Sequence, residues 1–576
     1  MTTQNPKQLP YGNADFRKIR TENNYVYVDK TRFIAMLEQE NNSSQVFIRP
    51  RRFGKSLFLS TLKYYYDVNY ADKFEQLFGD LYIGQHPTPR KNRYAVMNFD
   101  FSGLDTGNGE EKFISSFCDK VRSSICLFLQ RHKNIFSDTK EIIHQMNKDR
   151  PHLGIVDQAF NIADAADFQV FVIIDEYDHF ANDLIAMGSR KGDAFYREMV
   201  KANGIVRDFY ERLKSATGFS IVDRIFITGI SPVMLDDLTS GFNIASNLTL
   251  KQRYNEMLGF TGAEVTELMK ETGIDADKIR VDMEYYYNGY LFNKDGENKV
   301  YNPSMILYFF EQILENNKPP QNLIDPNLNM DPNRLKRLIQ NANNCDTLIK
   351  IIKEGNIVSN VLEKFSIDQL NDDSYFVSLL FYMGLLTIKE VYLDELRLVI
   401  PNYSIQTTYW ASLRNLVTEN SPDIVLNDKV LKETIYAMAM EGTIEGFIDY
   451  VSRNAFSKLS DFDLQRFDEK YIKVLLLAYL LLNAIYIPMS EYETVPGRAD
   501  IFLQRNSNFP QVQYEWVLEL KYCKTDAKDT EIARKRAEGL EQLSQYVHSA
   551  RLRDRPNLKS VLIIFIGKDK YEIVNV

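Results

Sequence analysis

Four short apolar runs bounded by polar turns recur along the first half of the chain: QVFI (Gln45–Ile48), YAVMNFDF (Tyr94–Phe101), FQVFVIID (Phe168–Asp175) and RIFITGI (Arg224–Ile230). Helix-length segments separate them. Strands apolar on both faces must be covered on both faces, and strands that alternate with helices build a parallel sheet. The chain is therefore expected to be α/β, and at 576 residues it is long enough for several domains.

The boundaries follow from composition. Residues 1–45 read as a lead-in, with a Pro-Tyr-Gly turn at Pro10–Gly12 and a short β pattern, YVYVDK, from Tyr25. Residues 46–315 hold the parallel-sheet domain. The Pro- and Asn-rich stretch Asn316–Asn333 reads as a loop or linker. Beyond it, 335–410 reads as a helical and winged-helix-like module, because a helix is followed by two β-like runs around a turn. ENSPD (Glu419–Asp423) marks a second break before a helical connector over 424–456. The last unit, 457–576, reads as a second α/β domain: a helix, strands at ADIFL and EWVLELK, a charged helix, and the closing strand SVLIIFIG.

Composition excludes several classes. Hydrophobic residues at 44% and charged residues at 26% exclude global disorder. A net charge of -9 supplies no global basic field, so any nucleic acid must be held by a local patch. The four cysteines lie far apart without a CxxC pair, which excludes a disulfide scaffold and a Cys/His zinc site. The opening MTTQNPKQLP lacks the apolar core of a secretory signal. The most apolar run, Val474–Ile487, is too short for a bilayer and reads as a buried helix. The expectation is a soluble, cytoplasmic protein with no membrane partner.

Chemistry concentrates at the strand ends. VFIRPRRFGKSLFLSTL runs strand, turn, helix, with Gly54, Lys55 and Ser56 at the turn. A phosphate loop needs backbone N–H groups at a helix N-terminus, a lysine for the terminal phosphates and a hydroxyl for Mg²⁺. Lys55 and Ser56 supply the last two. The first glycine of the usual loop is Arg49 here, and Pro50 removes a donor. The Phe168–Asp175 strand ends in Asp175 and Glu176, placed to hold Mg²⁺ through water and to orient an attacking water. Thr228, at the end of the next strand, stands where a sensor would contact the γ-phosphate. The three features together point to a nucleotide site. His179 reads as structural.

LPYGNADFRKIRTENNYVYVDKT, FIRPRRFGKSLFLSTL, FVIIDEYD, FITGISPV, NLTLKQRYNEMLGFT, YYNGYLF and YNPS, in that order, resemble the AAA-ATPase-like proteins that carry a C-terminal PD-(D/E)xK nuclease-like domain. The RPRRFGKS form of the loop is characteristic of that family. The resemblance implies ATP and Mg²⁺ binding by Lys55, Ser56 and Asp175, with Glu176 as the hydrolytic acid. Arg51 and Arg52 either touch phosphates or pair with nearby acids.

The C-terminal unit carries its own constellation. Asp500 opens one strand, and Glu519 and Lys521 sit two apart on the next, so they share a face while Leu520 points to the core. Two carboxylates converging across paired strands can hold a hard cation, Mg²⁺ or Mn²⁺. Lys521 can position a water for attack on a phosphodiester. This is the PD-(D/E)xK arrangement, in a restriction-endonuclease-like α/β fold. Glu469 is either a metal-side acid or a first-turn acid that favours its helix. Gln542 is either part of the site or core-facing polar glue. From Trp516 onward twelve Lys/Arg face nine Asp/Glu, a local balance that suits phosphate contacts.

The reading that results is an ATP-binding, nucleotide-controlled nuclease acting on nucleic acid, with DNA favoured and a homo-oligomer left open. Its rival is a non-cleaving ATP-dependent switch or scaffold that binds nucleic acid or a protein partner.

Overall fold

The computed structural model describes residues 7–22, 24–148, 152–187, 190–201, 204–238, 244–275, 279, 283–325, 342–495 and 497–576. The second half of the Asn316–Asn333 linker and the start of the 335–410 module lie outside them.

β1 (Ser44–Ile48), β2 (Ala95–Asp100), β3 (Val170–Asp175), β4 (Val222–Gly229) and β5 (Ser246–Asn247) form one sheet in the order β2-β3-β4-β1-β5. Every pairing in it is parallel. β1 is buried at all five residues and β3 at all but its last, as strands covered on both faces must be. Because the strands run the same way, the ends of β1, β3 and β4 share one edge. In open α/β sheets that edge is where ligands sit. The helix Lys55–Tyr66 leaves β1 there, capped by Gly54, and buries Phe58, Leu59, Leu62, Tyr65 and Tyr66. Tyr66 packs edge-on against Phe171 of β3 with ring centroids 4.7 Å apart.

The expected strand at Tyr25 is absent as such. Tyr25 makes a single bridge to Gln8, and among the described residues no strand pairs with the residues that follow it.

β6 (Asn356–Ser359), β7 (Thr387–Tyr392) and β8 (Glu395–Val399) make a three-stranded antiparallel sheet in the order β6-β8-β7, preceded at the hairpin by the helix Asp373–Tyr382. Helix and hairpin fall where the sequence puts them. Described residues up to 317, from 342 to 347 and from 356 to 402 form one compact unit, which holds both sheets. Residues 403–576, with 348–355, form a second.

The second unit is built on β9 (Tyr486–Glu493), β10 (Arg498–Arg505), β11 (Glu515–Cys523), β12 (Leu558–Ile566) and β13 (Lys570–Asn575), in the order β13-β12-β11-β10-β9. β11 and β12 are parallel and the helix Asp529–Val547 connects them; the other pairs are antiparallel. Two of these strands depart from the sequence reading. The apolar run Val474–Ile487 is not one helix: the helix Glu469–Leu480 ends inside it, and β9 begins at Tyr486. SVLIIFIG is not the closing strand, since β13 pairs outside it.

Gly289, in the YYNGYLF segment, sits at φ +109, and a Cβ there would stand 2.1 Å from the Pro401 carbonyl oxygen. Gly103 (φ +65) has open space around it. Gly289→Ala should therefore lower the urea midpoint by the equivalent of about 3 kcal/mol or more. Gly103→Ala should cost only the left-handed backbone penalty, about 1–2 kcal/mol. Equal losses would show that the Pro401 contact relaxes freely.

Candidate active sites

The first site begins with Arg49, one residue past β1. Its guanidinium is 1% exposed and donates to the carbonyls of Ile48 (2.9 Å), Thr249 (3.0 Å) and Tyr254 (2.9 Å). The rings of Phe47 and Phe292 lie 4.2 and 4.0 Å from it. Burial drives its pKa well down. Where a phosphate loop usually has a glycine, this one has a buried anchor.

The loop then turns through Arg52 (φ +67) and Gly54 (φ +92). Nothing lies within 4 Å of a Cβ built on Gly54, so its backbone conformation, and not crowding, calls for glycine. The carbonyls of Arg51 and Arg52 accept from Asn302 Nδ2 (3.5 Å) and Ser304 Oγ (3.2 Å) of the YNPS segment. Both guanidiniums are exposed along the cavity wall and make no hydrogen bond or ion pair with the described residues. Pairing with nearby acids is thus not what the structure shows.

Lys55 is 6% exposed, and its ammonium donates to the carbonyls of Arg49 and Pro50, both at 3.0 Å. Burial lowers its pKa, against the pull of Glu176, Asp175 and Asp178. Ser56 Oγ donates to Asp175 Oδ2 at 2.8 Å, so the loop hydroxyl and the β3 acid already meet. Burial pushes the Asp175 carboxyl up to about 6, with Ser56 and Lys55 opposing. Burial would raise Glu176 as well, but the His179 hydrogen bond (3.3 Å) and the Lys55 charge hold it below the usual range.

Arg51, Arg52, Lys55, Ser56, Glu176 and His179 line a cavity of about 520 Å³, to which Pro10–Ala14, Val26–Val28, Lys30, Leu258–Phe260, Pro303, Ser304 and Leu307 also contribute. That volume suits a small ligand. The lining combines charged and hydroxyl groups with the apolar side chains of Val26, Leu258, Phe260 and Leu307, which suits a ligand with an anionic and an apolar part. Thr228 does not join the set. It is 1% exposed, and its hydroxyl donates to the Phe47 carbonyl at 2.7 Å, within the sheet. The strand-end position is right for a sensor, but the side chain is turned to the neighbouring strand.

In the second unit, Asp500 Oδ2 accepts from the Leu520 N–H at 2.9 Å. Lys521 Nζ donates to Glu519 Oε1 at 2.7 Å, so these two share a face, and Leu520 between them is 0% exposed. Glu469, first residue of its helix, accepts from the Tyr522 N–H at 3.2 Å. It does more than favour a helix terminus, because that bond ties it to β11. Burial first, then the Asp500 charge, pushes Glu519 up to about 7. Burial also raises Asp500 and Glu469. Gln542 presents a buried Oε1 without a partner.

Among the described residues no three His, Cys, Asp or Glu side chains form a ready metal cage. The residues still fit a hard cation held by two carboxylates, since Glu519 Oε2 is buried with no hydrogen-bond partner.

Residues 10–239 match a family model described as a predicted AAA-ATPase, and residues 467–574 match that of the PD-(D/E)XK nuclease superfamily. The chain thus joins an AAA-ATPase-like domain to a C-terminal nuclease-superfamily domain. An uncharacterized protein of the vnfD 5′ region of Azotobacter chroococcum mcd 1 is 29% identical over 314 residues, 53% of this chain and 52% of the relative. The chain thus spans about half the length of that relative. A Walker-type ATPase of Pyrococcus abyssi is similar in structure with a TM-score of 0.37 and 13% identity, over 66% of this chain and 94% of that one.

Several residues of both domains escape the sequence reading. In the ATPase-like domain, Asp178 is 0% exposed and accepts from the N–H groups of Ile230 (3.0 Å) and Ser231 (2.7 Å), fixing the turn after β4. His179, which the sequence puts down as structural, bridges Glu176 and Asp183 (3.4 Å) and also lines the cavity. In the nuclease-superfamily domain, Lys473 and Glu491 stand beside Asp500.

The raised Asp175 gives a pH test. The folded chain holds this proton more tightly than the unfolded one, so stability falls as pH rises from about 4 to about 6 and stays lower above. Asp175→Asn should raise Tm above pH 6, with the gain fading toward pH 4. A gain independent of pH would disconnect it from this carboxyl.

Proposed function

We propose that the ATPase-like domain binds and hydrolyses ATP, and that the nuclease-superfamily domain cleaves nucleic acid phosphodiesters, DNA foremost, under control of the nucleotide state. The observation that carries the cleavage reading is the Asp500, Glu519 and Lys521 cluster. Adjacent strands hold one carboxylate by the Leu520 N–H and set the other against the lysine on one face. Ser56 bonded to Asp175 beside the buried Lys55 carries the ATP reading.

On this reading Lys55 turns from its two carbonyls to the terminal phosphates, and Arg51 and Arg52 add guanidinium donors where the first glycine is missing. Glu176, kept ionised by His179 and Lys55, orients the attacking water. In the nuclease domain Asp500 and Glu519 are the cation ligands, with Glu469 beside them, and Lys521 holds the water for in-line attack. A divalent cation, Mg²⁺ or Mn²⁺, supplies charge neutralisation at the phosphoryl oxygens when bound.

Plasmid and single-strand cleavage with Mn²⁺, with and without ATP, tests the whole. Asp500→Ala and Lys521→Ala should abolish cleavage while ATPase activity survives. Lys55→Ala should lose ATP binding, and Glu176→Gln should keep binding and slow hydrolysis. Arg51→Ala and Arg52→Ala should each raise the ATP dissociation constant by the equivalent of about 1–2 kcal/mol. Intact ATP binding with no cleavage of any nucleic acid would replace the nuclease by the nucleotide-switch reading.

A further inference from the structure

The helix Glu469–Leu480 is buried at every residue from Tyr471 to Leu480, and the one charged side chain in that stretch is Lys473. It is 4% exposed. A buried ammonium is unfavourable unless anions meet it. Two do so: Glu491 Oε1 is hydrogen-bonded to it, and Asp500 Oδ1 lies 3.7 Å away. Lys473 is four residues past Glu469, so both project from one helix face toward the same carboxylates.

Glu491 reaches this position through an unusual backbone. It has φ +51 in the middle of β9, where a non-glycine residue is strained. The register to β10 runs on unshifted on either side, Ser490 pairing with Ile501 and Tyr492 with Ala499, so Glu491 stands opposite Asp500. Residues opposite each other on paired strands project from the same face, so Glu491 and Asp500 can meet one ammonium. Asp500 uses Oδ2 for the Leu520 N–H, which leaves Oδ1 as the oxygen facing Lys473.

We propose that Lys473 is an internal counter-ion of the nuclease site, which competes with a divalent cation for Asp500, and that Glu491 is the seat to which its ammonium withdraws. Lys473 is thus a positioning residue that sets metal affinity. The inference rests on the nuclease reading of Asp500 and Glu519.

The test is Mn²⁺ binding to the full chain without nucleotide, followed by the electron paramagnetic resonance of free Mn²⁺, with Asp500→Asn as the reference for this site. Lys473→Met keeps the length and apolar stem of the side chain, and should tighten Mn²⁺ binding about fivefold or more. That is the scale of one charge contact near 4 Å screened as fully as in water, the least such a contact can be worth. Glu491→Gln should act in the opposite sense and weaken binding by a similar factor, because Lys473 then has Asp500 alone. Thermal melts report whether each variant is folded. A purely structural ion pair would move both variants the same way or neither. If Asp500→Asn loses Mn²⁺ but the other two variants shift together or not at all, the counter-ion role is overturned while the nuclease reading stands. If Asp500→Asn binds Mn²⁺ as the unmodified protein does, the metal reading fails and this inference with it.

Discussion

A guanidinium without a carboxylate holds the ATPase-like unit together. Burying a charge is expected to cost several kcal/mol even after relaxation. Arg49 offsets this with three carbonyl acceptors and the faces of two rings, contacts that gain strength where water is excluded. The acceptors belong to the end of β1 and to the segment around Thr249 and Tyr254, and one ring belongs to Phe292. The same region reaches the antiparallel sheet: Leu291 N–H donates to Thr387 Oγ1 at 2.7 Å, and Phe292 packs edge-on to Phe381 at 6.1 Å. Gly384 (φ +77) lets that sheet approach Pro50, whose Cβ would lie 2.9 Å from an added Cβ. Arg49 also offers its own carbonyl to Lys55. The start of the phosphate loop is therefore fixed on both sides by tertiary contacts, in place of the freedom that a glycine would give it.

The two sites share a device. In each, lysines are buried among acids and backbone carbonyls, so their charges are partly satisfied by the protein. Lys55 sits on two carbonyls, Lys521 on Glu519, and Lys473 between Glu491 and Asp500. Such an ammonium has a defined position and little entropy left to lose. On the proposed function its interactions have to be exchanged when an anionic ligand or a cation arrives, so that local contacts enter the affinity beside ligand contacts.

How far the sequence reveals this depends on whether a feature is local. β1, β2, β3 and β4 are legible because strands covered on both faces carry short continuous apolar runs, here VFI, AVM, VFVII and IFI. Asp175, Glu519 and Lys521 are legible because strand ends and the period of two fix their direction. Thr228 shows the limit. Its place at a strand end is readable, but its rotamer, turned to the Phe47 carbonyl, depends on the strand beside it. β9 is hidden because Pro488 interrupts its apolar start and acids fill its second half. Without β9, Lys473 is only a charge at the edge of an apolar helix. Arg49 reads as a departure from a motif until Thr249, Tyr254 and Phe292, some 200 residues on, are brought to it.

Asp175 and Glu519 are the carboxyls with the informative electrostatics. Burial pushes one to about 6 and the other to about 7, so near neutrality Asp175 is ionised against opposition from its surroundings and Glu519 only in part. Glu519 is pressed further by Asp500 and Glu469. A fold selected for stability alone would replace such groups or pair them fully, because the raised pKa is itself a loss of stability at neutral pH. Glu519 instead keeps one oxygen unpartnered in the interior. A divalent cation reverses the sign of that arrangement, since closely spaced buried carboxylates that repel each other are what a hard cation neutralises best. The destabilised carboxyls, more than any single motif, are what make both places read as sites for charged ligands.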